Sequence, residues 1–162
     1  MTLPEELREA ITENGVKITQ EKKTNGGYMV AAAEVSIQMQ ILLSILVDTA
    51  CAKTVAGEKW ASQVIDFYLR NWNFSLITVA ETEPFRFGPG ELIWSSWALL
   101  LPIQWGSYKG VLRISIVAKE VPPLMSRRVL KVMDVDLQMG KDQAVIHSMG
   151  SVTTSLRETE GG

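Results

Sequence analysis

A chain of 162 residues is long enough for one domain with a sizeable core, and 46% hydrophobic against 21% charged residues is the balance of a globular protein rather than a disordered tail. The formal net charge of −2 argues against a nucleic-acid binder that works by overall charge, and leaves only a local basic patch for that role. Cys51 is the single cysteine, so no intrachain disulfide forms and a reducing compartment is the simplest reading.

In chain order, Thr2-Leu3-Pro4-Glu5 fits a capping box with proline in the first turn. Leu3, Leu7 and Ile11 then mark one face of a short acidic helix that Asn14-Gly15 stops. This start lacks the basic-then-apolar layout of a secretory leader, and Thr2 stands where N-myristoylation needs glycine. Val16 to Thr19 fits a brief strand, and Asn25-Gly26-Gly27 a turn. Val35, Ile37, Met39, Ile41, Leu43, Ile45 and Val47 alternate with Ser36, Gln38, Gln40, Leu42, Ser44 and Leu46, which predicts a long strand with one buried face.

The period then changes. Trp60, Val64, Phe67 and Asn71 recur at helical spacing, with Ala61, Ile65 and Tyr68 beside them, so Glu58 to Trp72 is expected to form an amphipathic helix lying on a sheet. Phe74 to Ala80 is a third strand, and Glu81 to Gly90, with Pro84, Gly88 and Pro89, is expected to be a loop.

Leu92 to Tyr108 carries no charge and holds Trp94, Trp97 and Trp105. It is interrupted by Ser95, Ser96, Pro102, Gln104 and Gly106, and is shorter than the ~20 apolar residues a spanning helix needs. Two strands are expected instead, Leu92 to Leu101 and Tyr108 to Lys119, and the second alternates Leu112, Ile114 and Ile116 against Arg113 and Ser115. Pro122-Pro123 ends this region. Ser126 could cap a short helix through Val129, Leu130, Val132 and Met133, and Asp136 to Met149 could add one or two strands around Gly140-Lys141-Asp142. Residues 1–150 read as one globular domain, and 151–162 as a polar, flexible tail.

The chemistry-bearing residues are sparse. His147, the single histidine, reads as a structural or surface residue, and Cys51 as an inert thiol. Asp134 and Asp136 suit a solvated strand edge better than a metal, and Gly88-Pro89-Gly90 lacks the lysine and helix start of a phosphate loop. No catalytic residue, metal or cofactor is expected. Arg127, Arg128 and Lys131 form one basic cluster and Lys22 and Lys23 another; ordinary solvated surface explains both, and either could instead meet phosphate or an anionic head group. Trp105 and Trp94, with Pro122-Pro123-Leu124, are the candidates for self-association or membrane contact.

The order long strand, helix, strand, Pro/Gly loop and two long strands resembles the matrix proteins of rhabdoviruses. Three stretches carry the resemblance: Gly106-Ser107-Tyr108-Lys109-Gly110-Val111-Leu112-Arg113-Ile114-Ser115-Ile116, with its Tyr-Lys-Gly entry to a strand; Trp97-Ala98-Leu99-Leu100-Leu101-Pro102 before it; and Val35 to Ile41. It covers roughly residues 28–120, by order and pattern more than by identity. Animal members carry a lysine-rich arm with a Pro-Pro-x-Tyr budding motif, whereas the one Pro-Pro here precedes Leu124 and Met125; a divergent, plant-infecting member fits better.

The resemblance implies an α+β fold, an antiparallel β-sheet of about five strands packed against one long amphipathic helix and a short N-terminal helix. It implies a structural protein of the virion that self-associates into a homo-oligomer, condenses the nucleocapsid and bridges it to the inner membrane face during budding. Its partners would be itself, the viral ribonucleoprotein and an anionic membrane, without specific DNA. Its places would be the virion, the host cytoplasm and host membranes, with the nucleus open. Two other readings stand beside it. One is a small-molecule-binding or enzymatic domain with a tryptophan-lined pocket and Asp66 or Glu34 as its acid or base. The other is a viral RNA-binding or movement protein.

Overall fold

The computed structural model describes residues 44–105 and 108–156. The expected N-terminal helix, Lys22, Lys23, Glu34 and nearly all of the Val35–Val47 strand lie outside the described residues. The described chain runs β1 (Leu46–Asp48), β2 (Val55–Gly57), α1 (Glu58–Trp72), β3 (Ile77–Arg86), β4 (Leu92–Trp105), β5 (Tyr108–Val117), β6 (Leu124–Ser126), α2 (Arg127–Val132), β7 (Val135–Gln138), β8 (Gln143–Ile146) and β9 (Val152–Ser155).

Two sheets result. The larger has the order β1-β6-β2-β5-β4-β3, and the smaller is β7-β8-β9. The larger is mixed: β1 runs parallel to β6 and β2 parallel to β5, while β3, β4 and β5 form an antiparallel meander.

The expected fold class is therefore corrected. Of the described residues 49% lie in strands and 24% in helices, there are two sheets, and α1 is the one described helix of seven or more residues. The described residues are mainly β, in two sheets, rather than five antiparallel strands on a long helix. The miss has a physical cause: β2 and β6 span three residues each, too few for alternation to register in the sequence, yet with β1, which holds the last two residues of the expected Val35–Val47 strand, they add the parallel half of the sheet. A second sheet arises where hairpins of four-residue strands follow one another. Val152–Ser155, in the segment expected to fray, pairs with β8 through Val152↔Ile146 to Ser155↔Gln143.

The main core lies where α1 meets the large sheet. Ala61, Val64, Phe67, Tyr68 and Trp72 are buried on the helix, and Leu99, Leu101, Leu112, Ile114 and Ile116 on β4 and β5. Register explains the shared face: Leu99 pairs with Ile114 and Leu101 with Leu112, so these side chains stand on one side of the sheet. Each large side chain so buried contributes about 1.5–3 kcal/mol. The Phe67, Tyr68 and Trp72 rings meet edge-on, and the buried Tyr68 hydroxyl donates to the Pro102 carbonyl at 3.1 Å. Asn73 ends α1 in the left-handed region (φ 49°), a conformation that asparagine tolerates, and its N–H returns to the Leu69 carbonyl at 3.0 Å.

Gly57, at the junction of β2 and α1, is set by close approach. A Cβ there would stand 2.6 Å from the Lys119 carbonyl oxygen and 2.8 Å from the Val121 nitrogen. The same approach lets the Gly57 N–H donate to the Val121 carbonyl at 2.9 Å.

Candidate functional site

The segment read as a loop, Glu81 to Gly90, is largely strand: β3 continues to Arg86, with an irregularity between Ala80 and Glu83. Pro84 is tolerated because β3 is an edge strand among the described residues and has no second neighbour to donate to. The uncharged Trp-rich segment likewise forms β4 and the entry to β5, and no described helix is long and apolar enough to cross a membrane.

The β3–β4 hairpin ends in a two-faced tip. Arg86 pairs with Leu92 and Pro84 with Trp94, so these four share one face, and all four are exposed. Trp94 is 55% and Leu92 45% exposed. The opposite face, Phe85 paired with Ile93, packs into a second small core with Val55, Val117 and Val121. Phe85 stacks on Phe87 with ring centroids 6.3 Å apart, Lys53 Nζ lies 5.6 Å from the Phe85 ring centre and Lys119 Nζ 5.5 Å from that of Phe87. Gly88, at φ 63°, makes the turn, closed by Gly90 N–H to the Phe87 carbonyl. The result is a tip pinned from one side that shows Trp94, Leu92 and Pro84 on the other, with Arg86 among them and Lys119 beside the turn.

Behind the tip, Glu81 is nearly enclosed, its side chain 5% exposed. Burial alone would raise its pKa. Hydrogen bonds from Ser95, Ser115 and Arg113, with the Arg113 charge, outweigh that and hold the carboxyl below its usual value. Ser95 Oγ donates to Oε1 at 2.6 Å and Arg113 Nη2 to Oε2 at 2.7 Å.

The expected site residues are placed as follows. Trp94 is at the tip. Trp105 closes β4 in register with Tyr108. Pro122 is exposed, Pro123 buried and Leu124 half-buried in β6, so this segment is a strand entry rather than an open docking motif. Arg127, Arg128 and Lys131 are exposed on α2. Cys51 is half-buried, its thiol donates to the Lys53 carbonyl at 2.8 Å, and burial pushes its pKa up.

His147 takes more partners than the sequence indicated. Its Nε2 lies 2.8 Å from Asp136 Oδ2 and its Nδ1 3.1 Å from Ser151 Oγ, which ties β7, the end of β8 and the start of β9 together. These side chains stand at the surface, and they clip a sheet rather than line a cleft. Among the described residues no group of three or more His, Cys, Asp or Glu could hold a metal.

Trp72 is in the main core, Trp60 and Trp97 pack against it, and Trp94 is at the tip; Trp60 also lines a shallow groove with Gly57, Gln63, Glu120 and Pro122. Asp66 is engaged with Arg70 one helical turn on.

Missed by the sequence reading were Arg86, Phe87, Leu92 and Lys119 at the tip and the Glu81–Arg113 pair. The available signal was the alternation Leu92, Trp94 against Ile93, Ser95 on a strand flanked by Phe85 and Phe87. No known protein-family model matches the chain, and no curated protein matches it.

Proposed function

We propose that this chain is a non-catalytic, matrix-type structural protein, of the kind found in rhabdoviruses, that self-associates and holds a nucleocapsid against an anionic membrane. The observation that carries the reading is the tip face of Pro84, Arg86, Leu92 and Trp94. An exposed tryptophan and leucine on a rigid hairpin, with Arg86 and Lys119 at hand, suit shallow insertion between head groups. The anionic lipid meets the cations while the ring sits at the interface.

Edge strand β3 supports the self-association part. Its distal half is guarded by the irregularity near Glu83 and by Pro84, but Ile77 to Ala80 present regular strand with no described neighbour on the outer side. Sedimentation velocity over a salt and concentration series tests this part. Reversible growth into large oligomers as salt falls supports it, and a strict monomer at every condition contradicts it.

A further inference from the structure

The turn into β9 puts a serine, a histidine and an aspartate in line. Asp136 stands on β7, His147 follows β8 in the short turn His147–Met149, and Ser151 precedes β9. The backbone that carries them is pinned. The His147 N–H donates to the Asp134 carbonyl at 2.9 Å, the Ser148 N–H to the Met133 carbonyl at 3.3 Å and the Gly150 N–H to the His147 carbonyl at 3.1 Å. Beneath it Met133 and Ile146 are buried, with Val152 packed against them.

The contacts assign the protons. An ionised carboxylate only accepts, so the Nε2 that lies 2.8 Å from Asp136 Oδ2 carries the ring proton of a neutral His147. Nδ1 keeps its lone pair, 3.1 Å from Ser151 Oγ, and the hydroxyl donates to it. This is the order nucleophile, base, orienting carboxylate. The backbone adds an independent sign. Four described residues other than glycine have positive φ: Asn73, Asp134, Asp142 and Ser151. Asparagine and aspartate tolerate that region, whereas serine, here at φ 60°, has no such ease. Strain of this kind gathers where a side chain has to be aimed, and here Oγ meets Nδ1.

We propose that Ser151 is a nucleophilic modification site that takes an acyl group from a small activated carboxylic ester, with His147 as its base and Asp136 positioning the ring. Access sets the donor class. Ser151 is exposed, the His147 side chain is 36% and that of Asp136 67% exposed, and no cleft encloses them to select a large substrate. Ser151 Oγ bonds to the ester carbonyl carbon as its proton passes to His147 Nδ1. The carbon–oxygen bond to the alcohol part then breaks with its electron pair, and the leaving oxygen takes the proton from His147. The products are an O-acyl serine and an alcohol, and nothing is oxidised or reduced. Among the described residues no backbone carbonyl takes the Ser151 N–H, which leaves that donor for the carbonyl oxygen as charge develops on it. One acylation per chain needs no turnover, so the proposal goes beyond the structural reading above and does not depend on it.

The test treats the full chain with p-nitrophenyl acetate and locates acetyl groups by peptide mapping after an acid quench. Ser155, exposed on β9 and not bonded to the ring, is the internal control. Acetyl should reach Ser151 well before Ser155. His147→Gln keeps a hydrogen-bonding side chain but removes the base, and should slow the reaction at Ser151 about a hundredfold. Asp136→Asn should slow it by less, and a merely structural clip would leave this chemical rate unchanged. Circular dichroism confirms that the variants fold. Acetylation of Ser151 no faster than of Ser155, or as fast in His147→Gln as in the native chain, overturns the proposal. An unchanged rate in Asp136→Asn overturns the role given to Asp136.

Discussion

Arg113 of β5 reaches across β4 to hold Glu81 of β3, Nη2 to Oε2 at 2.7 Å, and Ser95 of the crossed strand donates to the other carboxylate oxygen. Three strands of the meander are thus tied at one point, close to where β3 loses register. The tie steadies the base of the hairpin whose tip shows Trp94.

Removing the cation should be costly because Glu81 is nearly enclosed. Arg113→Ala should destabilise the fold by about 1–3 kcal/mol, the penalty for leaving a buried acceptor without its donor. Urea denaturation of the variant measures it, and Arg113→Lys should recover part of the loss.

Acid should release the same tie. Glu81 titrates below its usual value in the folded protein, so its contribution is complete above the unfolded carboxylate value of about 4.3 and disappears as pH falls through the folded value. Glu81→Gln should therefore be less stable than the native chain at neutral pH, and the gap should begin to narrow as pH falls below about 4.3 and close only once pH has fallen through the lowered folded value. Denaturant midpoints at a series of pH values read the two curves.

Gly57→Ala should fail for steric reasons, since its new methyl would stand 2.6 Å from the Lys119 carbonyl oxygen. The contacting atoms are backbone and cannot swing away. A loss of about 1–3 kcal/mol is expected, seen as a lower thermal midpoint.

The histidine clip should matter locally. His147→Ala removes the link between Asp136 and Ser151, both near the surface, so about 0.5–1 kcal/mol is expected. Hydrogen exchange should quicken in β7, β8 and β9 and remain unchanged in β4 and β5.

Much of the large meander could be read from the residues, because long elements declare their period. The helix Glu58–Trp72 and the alternation of Leu112, Ile114 and Ile116 were plain for that reason. Glu81 to Gly90 was misread because Pro84 counts as a breaker, and only the edge position of β3 makes it harmless. The Glu81–Arg113 pair was hidden by its separation of 32 residues and by the placing of Glu81 in a loop; a lone arginine in an apolar strand was the clue. Trp94 was among the expected contacts, but its exposure depends on a register with Pro84 that no local pattern states. Short β2 and β6 left no pattern, and with them went the mixed sheet and the fold class.

The central claim is that the hairpin tip engages an anionic membrane, and vesicle co-flotation measures it most directly. The native chain should float with phosphatidylserine-containing vesicles and stay behind with neutral ones, and Leu92→Ser with Trp94→Ser should abolish flotation while altering stability by no more than about 0.5 kcal/mol. Equal flotation of native and doubly substituted protein, or no flotation of either, would contradict the account.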